Sequence, residues 1–214
     1  MALTGRSGLD RLSSWVPGDL DLWVIQREEL SPLGYAELWI RDGGTTPRDA
    51  AFTPLLTAWL DDFTARGVTA VGFGYILVRR PAADGVPLRR LERVTQPVSN
   101  VGAALRAGLA AHDVLATGLP ATLLVAPDVT EARHLLPGND DPSIIELRQG
   151  GGFARTITVD PALAGFVGAC DGDLTVVQIV SALADLFEVP LVELWADLEP
   201  RICCLLYTSD AADE

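Results

Sequence analysis

Two apolar runs, Leu20 to Gln26 and Val68 to Arg79, bracket a stretch whose apolar residues recur at helical spacing. A run with little polar interruption needs cover on both faces, so each is expected to be a strand of a sheet carrying helices, an α/β arrangement. Leu22-Trp-Val-Ile25 forms the centre of the first strand, and Pro17-Gly18 is the turn before it. Leu33 to Arg41 reads as a short helix. Phe52, Leu55, Leu56, Trp59, Leu60 and Phe63 share one face of a second helix, with Gly67 where a C-terminal cap belongs.

Beyond a loop at Pro81 to Pro87 the pattern changes. Leu88 to Gln96 mixes Leu and Val with Arg and Glu, as a half-exposed strand does, and a helix is expected from Val101 to Ala116. Ala121 to Leu136, Ser143 to Gln149 and Phe153 to Val159 read as strands, separated by Pro137-Gly-Asn-Asp-Asp-Pro142 and Gly150-Gly-Gly152. Three helices follow. Pro161 opens one that ends near Cys170, Thr175 with Gln178 makes a capping box for the next, and Pro190 opens the last. The chain is expected to divide near Ala82 to Val86 into an α/β part (residues 1–81) and an α+β part (residues 88–203).

All 16 basic residues are Arg, and the other abundant residues also have GC-rich codons. The last eleven residues break that pattern. Cys204 to Glu214 back-translates as TGT CTC TTA TAC ACA TCT GAC GCT GCC GAC GAR, which matches the transposase mosaic-end adapter of sequencing libraries. Residues 204–214 are therefore expected to be foreign, with the natural chain running on past Ile202 or Cys203. The foreign residues should add nothing consistent to the core, and a strip near the last helices should be under-covered.

Without Asp210, Asp213 and Glu214 the net charge moves from −13 to −10. That balance opposes non-specific binding to nucleic acid, which needs clustered positive charge. Cys170 and Cys203 make no disulfide framework, which suits a reducing, cytoplasmic setting. No signal peptide is visible, and no apolar run has the length of a membrane span.

Few motifs suggest chemistry. Gly150-Gly-Gly152 is followed by a strand-like segment, whereas a phosphate-cradling loop must open a helix, so a hairpin turn is expected. Gly72 and Gly74 lie inside a strand, where a neighbouring backbone comes close. His112, His134 and Cys170 lack metal-ligand spacing, so no metal is expected, and Asp140-Asp141 reads as turn chemistry. Cys170 reads as a buried small residue. Gln26, Arg27 and Glu28 read in two ways: they close a buried strand at its carboxyl end, where open α/β sheets place ligands, or they are simply a solvated strand end.

Several segments together carry a resemblance. They are Asp21-Leu-Trp-Val-Ile-Gln-Arg-Glu28, Tyr35 through Trp39 with Arg41-Asp42, Gly72-Phe-Gly-Tyr75, Arg90-Leu-Glu-Arg93 with Gln96-Pro97, Pro137 to Pro142, and Gly168-Ala-Cys-Asp-Gly172. Over Leu9 to Ile202 the chain resembles the C-terminal half of class I S-adenosylmethionine-dependent methyltransferases of high-GC bacteria. These are the Asn-Pro-Pro-Tyr type, like the release-factor glutamine methyltransferase and small-methyltransferase-domain relatives.

The resemblance implies the last strands of a Rossmann-like seven-stranded sheet, Leu20 to Gln26 sixth and Val68 to Arg79 seventh, so the two runs should pair antiparallel. It also implies an accessory domain that is winged-helix-like over residues 161–203. The glycine-rich cofactor loop and the Asn-Pro-Pro-Tyr motif are not in this sequence. The resemblance therefore assigns S-adenosylmethionine and the catalytic residues to an upstream half of the same polypeptide. Gln26, Arg27 and Glu28 are left on the substrate side, and the fragment is expected to be inactive alone. Two other readings stand beside it. The accessory domain is a module docking protein or nucleic acid, favoured by a positive stripe of Arg89, Arg90, Arg93, Arg133, Arg148 and Arg155, or it is a structural appendage.

Overall fold

The computed structural model describes residues 8–81, 85–96 and 98–206. In chain order they form α1 (Gly8–Trp15), β1 (Asp21–Leu30), α2 (Pro32–Asp42), α3 (Phe52–Ala65), β2 (Val71–Arg79) and β3 (Arg89–Arg93). Then come α4 (Val101–Leu115), β4 (Thr122–Leu124), β5 (Val129–Leu135), β6 (Pro142–Gln149), β7 (Thr156–Val159), α5 (Pro161–Gly168), β8 (Asp171–Thr175), α6 (Val176–Leu186) and α7 (Leu191–Leu206). The fold is mixed α/β, with the described strands in three small sheets. Two compact units meet in sequence between Thr95 and Gln96.

In the first unit β1 lies between β2 and β3, and Leu22, Trp23, Val24 and Ile25 are all buried. β2 runs antiparallel to β1, from Asp21 opposite Arg79 to Leu30 opposite Val71, which is the pairing expected of the two apolar runs. Between them α3 ends on Gly67 at φ +64°. The amides of Gly67 and Val68 donate to the carbonyls of Thr64 and Phe63 at 3.0 and 2.9 Å, a Schellman closure.

Gly74 answers the close approach expected of a strand glycine. A Cβ there would stand 1.9 Å from the Ile25 carbonyl oxygen.

β3 corrects the expected boundary. The sequence reading put Leu88 to Gln96 in the second part, but Arg89 to Arg93 pair parallel with Leu22 to Gln26 and fill the other edge of β1. The buried Asp21 ties this edge to the first. It accepts from Arg79 Nε at 2.6 Å and from the Leu88 amide at 2.8 Å. On the same sheet Trp23 donates its indole N–H to Glu92 at 2.6 Å, and the Arg90 guanidinium lies 5.1 Å from the indole centroid.

The second unit builds its core from β6, β7, α5, α6 and α7, with Phe166, Ile179, Val180, Leu198 and Ile202 fully buried. β5, β6 and β7 form an antiparallel meander. Its turns are the two expected, Pro137 to Pro142 and the glycine triplet. The capping box on α6 is complete, with Thr175 and Gln178 exchanging side-chain and backbone bonds.

α1 and β8 had no counterpart in the sequence reading. α1 buries no residue, so it carries no apolar face that burial demands. β8, in Asp171-Gly-Asp-Leu-Thr175, is mostly exposed and is held by antiparallel pairing to β4.

The last helix runs on into the segment read as foreign, through Cys204, Leu205 and Leu206, and Leu205 packs on the core. Residues 207–214 lie outside the described residues. Leu205 and Leu206 also line a cavity of about 90 Å3 with Leu123, Val125, Ile157 and Ile202.

Asp160 gives this unit a pH-dependent link. Its carboxylate caps α5 through the Leu163 amide at 2.8 Å and meets Arg201 of α7 at 2.7 Å. Partial desolvation pushes the carboxyl up, but the bonds from Arg201 and Leu163 outweigh it and hold it below its ordinary 3.8. A depressed acid contributes stability above its unfolded value and loses it as pH falls through the folded one. Acid titration of unfolding should therefore show this unit weakening below pH 3.8. The Asp160→Asn protein should start less stable at neutral pH and lack that component of the acid limb.

Candidate functional site

β1 is buried through Ile25, and its exposed end carries the chemistry. Register slips between Gln26 and Glu28, so Arg27 is an extra residue with no opposite number on β2. Such a bulge bends the strand and re-aims its side chains. Here it brings the three residues singled out from sequence against different neighbours. Gln26 donates from Nε2 to Glu29 at 2.9 Å, and its side chain lies beside Gly72, 3.3 Å from where a Cβ would stand. Arg27 reaches the Tyr75 hydroxyl at 3.2 Å, with its guanidinium 5.8 Å from that ring's centroid. Glu28 stands opposite Phe73 in the register.

Glu29, Tyr75 and Arg93 complete two groups on opposite faces of the sheet, Gln26 with Glu29 and with Arg93 at 3.6 Å from Glu29, and Arg27 with Tyr75. Glu29 and Tyr75 were not singled out from sequence, and Arg93 entered there only as part of the positive stripe. Tyr75 and Arg93 arrive from β2 and β3, and only the pairing of those strands with β1 makes them neighbours. The groups present are an amide, two guanidiniums, two carboxylates and a phenol. Such groups suit recognition of a polar ligand by hydrogen bonding, and neither face adds a thiol, aliphatic hydroxyl or imidazole to act as a nucleophile there.

Behind it, on the helices, Tyr35 is the hub of an aromatic group. It stacks on Phe73 at 5.8 Å between centroids and meets Trp39, Trp59 and Phe63 at 5.8 to 6.0 Å. Phe73 and Tyr75 are two apart on β2 and so share a face. The aromatic group thereby joins the helices to the strand that receives Arg27.

Gly150 to Gly152 join β6 to β7, and Gly72 and Gly74 lie within β2, so neither set leads a strand into a helix. The Gly151 amide donates instead to Asp128 Oδ2 at 2.8 Å, an internal tie of the hairpin.

Among the described residues, no group of three or more His, Cys, Asp or Glu is placed to hold a metal ion. His112 is buried in α4, while His134 meets Glu146 at 3.1 Å on the meander. Cys170 is buried and donates to the Phe166 carbonyl at 3.3 Å. Burial first, and then the charge of Asp171, pushes its thiol up to about 11, so the reactive thiolate is suppressed.

The arginines considered as a positive stripe meet local groups, five through oxygen atoms and Arg155 through the Phe153 ring at 5.0 Å. Arg90 meets Glu92 at 3.3 Å and Arg93 meets Glu29, while Arg133 pairs with Glu131 and Arg148 with Glu146 at 2.6 Å. Arg89 donates to the carbonyls of Val16 and Pro17. Three of the six belong to each unit. Four of the six are thus paired with carboxylates, and arginines so neutralised displace few counterions.

No family model, curated protein or solved structure matches this chain.

Proposed function

We propose that the chain is the C-terminal part of an S-adenosylmethionine-dependent N-methyltransferase, with Gln26, Arg27 and Glu28 on the substrate side. The reading rests on the sequence resemblance. What supports it in the fold is the antiparallel β1–β2 pair with two helices interposed, the layout that resemblance implies for the last two strands of the sheet. On this reading β1 and β2 close a Rossmann-like sheet whose other strands, cofactor loop and Asn-Pro-Pro-Tyr motif lie in an upstream half. The run α5, β8, α6 and α7 is a winged-helix-like element of the accessory domain, and the setting is cytoplasmic. No described helix is long and apolar enough to cross a membrane.

Catalysis in the whole enzyme would come from holding the acceptor nitrogen in line with the methyl carbon, a matter of position and orientation. The part of this chain is to bind and orient the acceptor through the polar end of β1. The test has two arms. Calorimetry of this chain with S-adenosylmethionine should give no binding signal, and micromolar affinity would refute the division of labour. Joined to the sequence encoded upstream, the chain should support transfer of labelled methyl to a nitrogen acceptor, and an upstream frame lacking a glycine loop and Asn-Pro-Pro-Tyr would end the reading.

A further inference from the structure

We infer that the second unit binds a small neutral molecule, one ring or a short branched chain carrying a single hydroxyl, in the cavity beside the end of α7. The cavity holds about 90 Å3, several times what one water needs. Its walls are apolar, with Leu123 on β4, Leu147 on β6, Ile157 on β7, Phe166 on α5 and Ile202 on α7. Water finds no partners on such walls, and empty space gives them no dispersion contacts, so an apolar body is the favoured filling. Leu124 also lines the cavity and is 59% exposed, so a ligand has a way in from solvent.

The polar end fixes the chemistry. Ile145 and Leu147 are buried at alternate positions of β6, and Gln149 is the next residue on that face. An amide thus stands where the strand pattern calls for an apolar side chain. Gln149 lines the cavity, and its Oε1 is buried and accepts no hydrogen bond among the described residues. A buried acceptor left without a donor is costly. A ligand hydroxyl supplies the missing partner whichever way the amide is turned, because a hydroxyl both donates and accepts.

Two arginines at the same end set the charge. Arg148 is held by Glu146 at 2.6 Å, and the Arg155 guanidinium lies 5.0 Å from the Phe153 centroid. A cationic ligand is therefore disfavoured, and a neutral one leaves both arrangements intact. All of these residues belong to the second unit, and the inference does not depend on the methyl-transfer reading. Leu205 and Leu206, in the segment read as foreign, line part of the wall.

The experiment uses the whole 214-residue chain, with phenol as ligand and toluene, its isostere without the hydroxyl, for comparison. Titration followed by NMR should move the Gln149 side-chain amide and the Leu147 and Ile157 methyls. Phenol should bind at least ~10-fold tighter than toluene, and benzoate no tighter than phenol. Gln149→Leu should bring phenol and toluene within ~3-fold of each other. Val125→Phe, whose ring takes the place of the ligand, should abolish saturable binding of both. Leu205→Ala with Leu206→Ala should leave phenol affinity within ~10-fold, because the hydroxyl's partner and the other walls remain. No saturable binding of phenol, phenol and toluene bound alike, benzoate preferred, a phenol preference that survives Gln149→Leu, binding indifferent to Val125→Phe, or binding lost with the two alanines would each overturn the inference.

Discussion

Gly74→Ala should cost the first unit at least ~3 kcal/mol, enough to lower its melting transition sharply or abolish it. The new Cβ would stand 1.9 Å from the Ile25 carbonyl oxygen and 2.8 Å from its carbon. Both are backbone atoms of the most buried strand, so no rotamer change relieves the clash. Only parting β1 from β2 would, at the expense of the ladder that carries the sheet. Gly72→Ala is the control. Its Cβ meets the Gln26 side chain at 3.3 Å, which can turn aside, so the change should be small. Calorimetric unfolding of the two variants should separate them clearly, and equal midpoints would mean that β1 and β2 are not packed as described.

Arg79→Met should have the next largest effect, about 3–5 kcal/mol, because it strips a counter-charge from a fully buried carboxylate. Asp21 has no exposed surface and accepts from Arg79 at 2.6 Å, with the Leu88 amide on its other oxygen. Adding Asp21→Asn to Arg79→Met should recover part of the loss. The amide oxygen can still accept from Leu88, and no charge is left buried. Urea unfolding of the single and double variants reads this directly. A double variant no more stable than Arg79→Met would place the cost in packing of the arginine stem instead.

Much of the first unit was legible because its signals are local. A run such as Leu22 to Ile25 has to be buried, a helix that ends on Gly67 advertises its cap, and Gly74 inside a strand announces a close neighbour. β3 was assigned to the wrong part because Arg-Arg-Leu-Glu-Arg gives no apolar signal. Its place is set by the unfilled edge of β1, which lies more than sixty residues away. β8 escaped notice for the related reason that its Asp, Gly and Asp residues read as a turn, and only β4 makes them a strand.

The candidate site shows the same limit. Gln26, Arg27 and Glu28 could be picked out at the end of a buried strand. The bulge that re-aims Arg27 is a property of pairing, and so is the arrival of Tyr75 beside Arg27 and of Arg93 beside Glu29.

Trp23 and Trp15 have a consequence for how the first unit can be watched. Trp23 is 1% exposed and Trp15 65%. The Trp23 ring lies under the Arg90 guanidinium with its N–H held by Glu92. A shielded indole emits to the blue and is beyond the reach of aqueous quenchers, whereas an indole on the surface emits to the red and is quenched. The unit therefore carries indole reporters of both kinds, with Trp39 at 44% exposure joining Trp15 on the open side. Iodide should darken the red shoulder of its emission first, and the blue component should follow only when the β1–β3 edge opens.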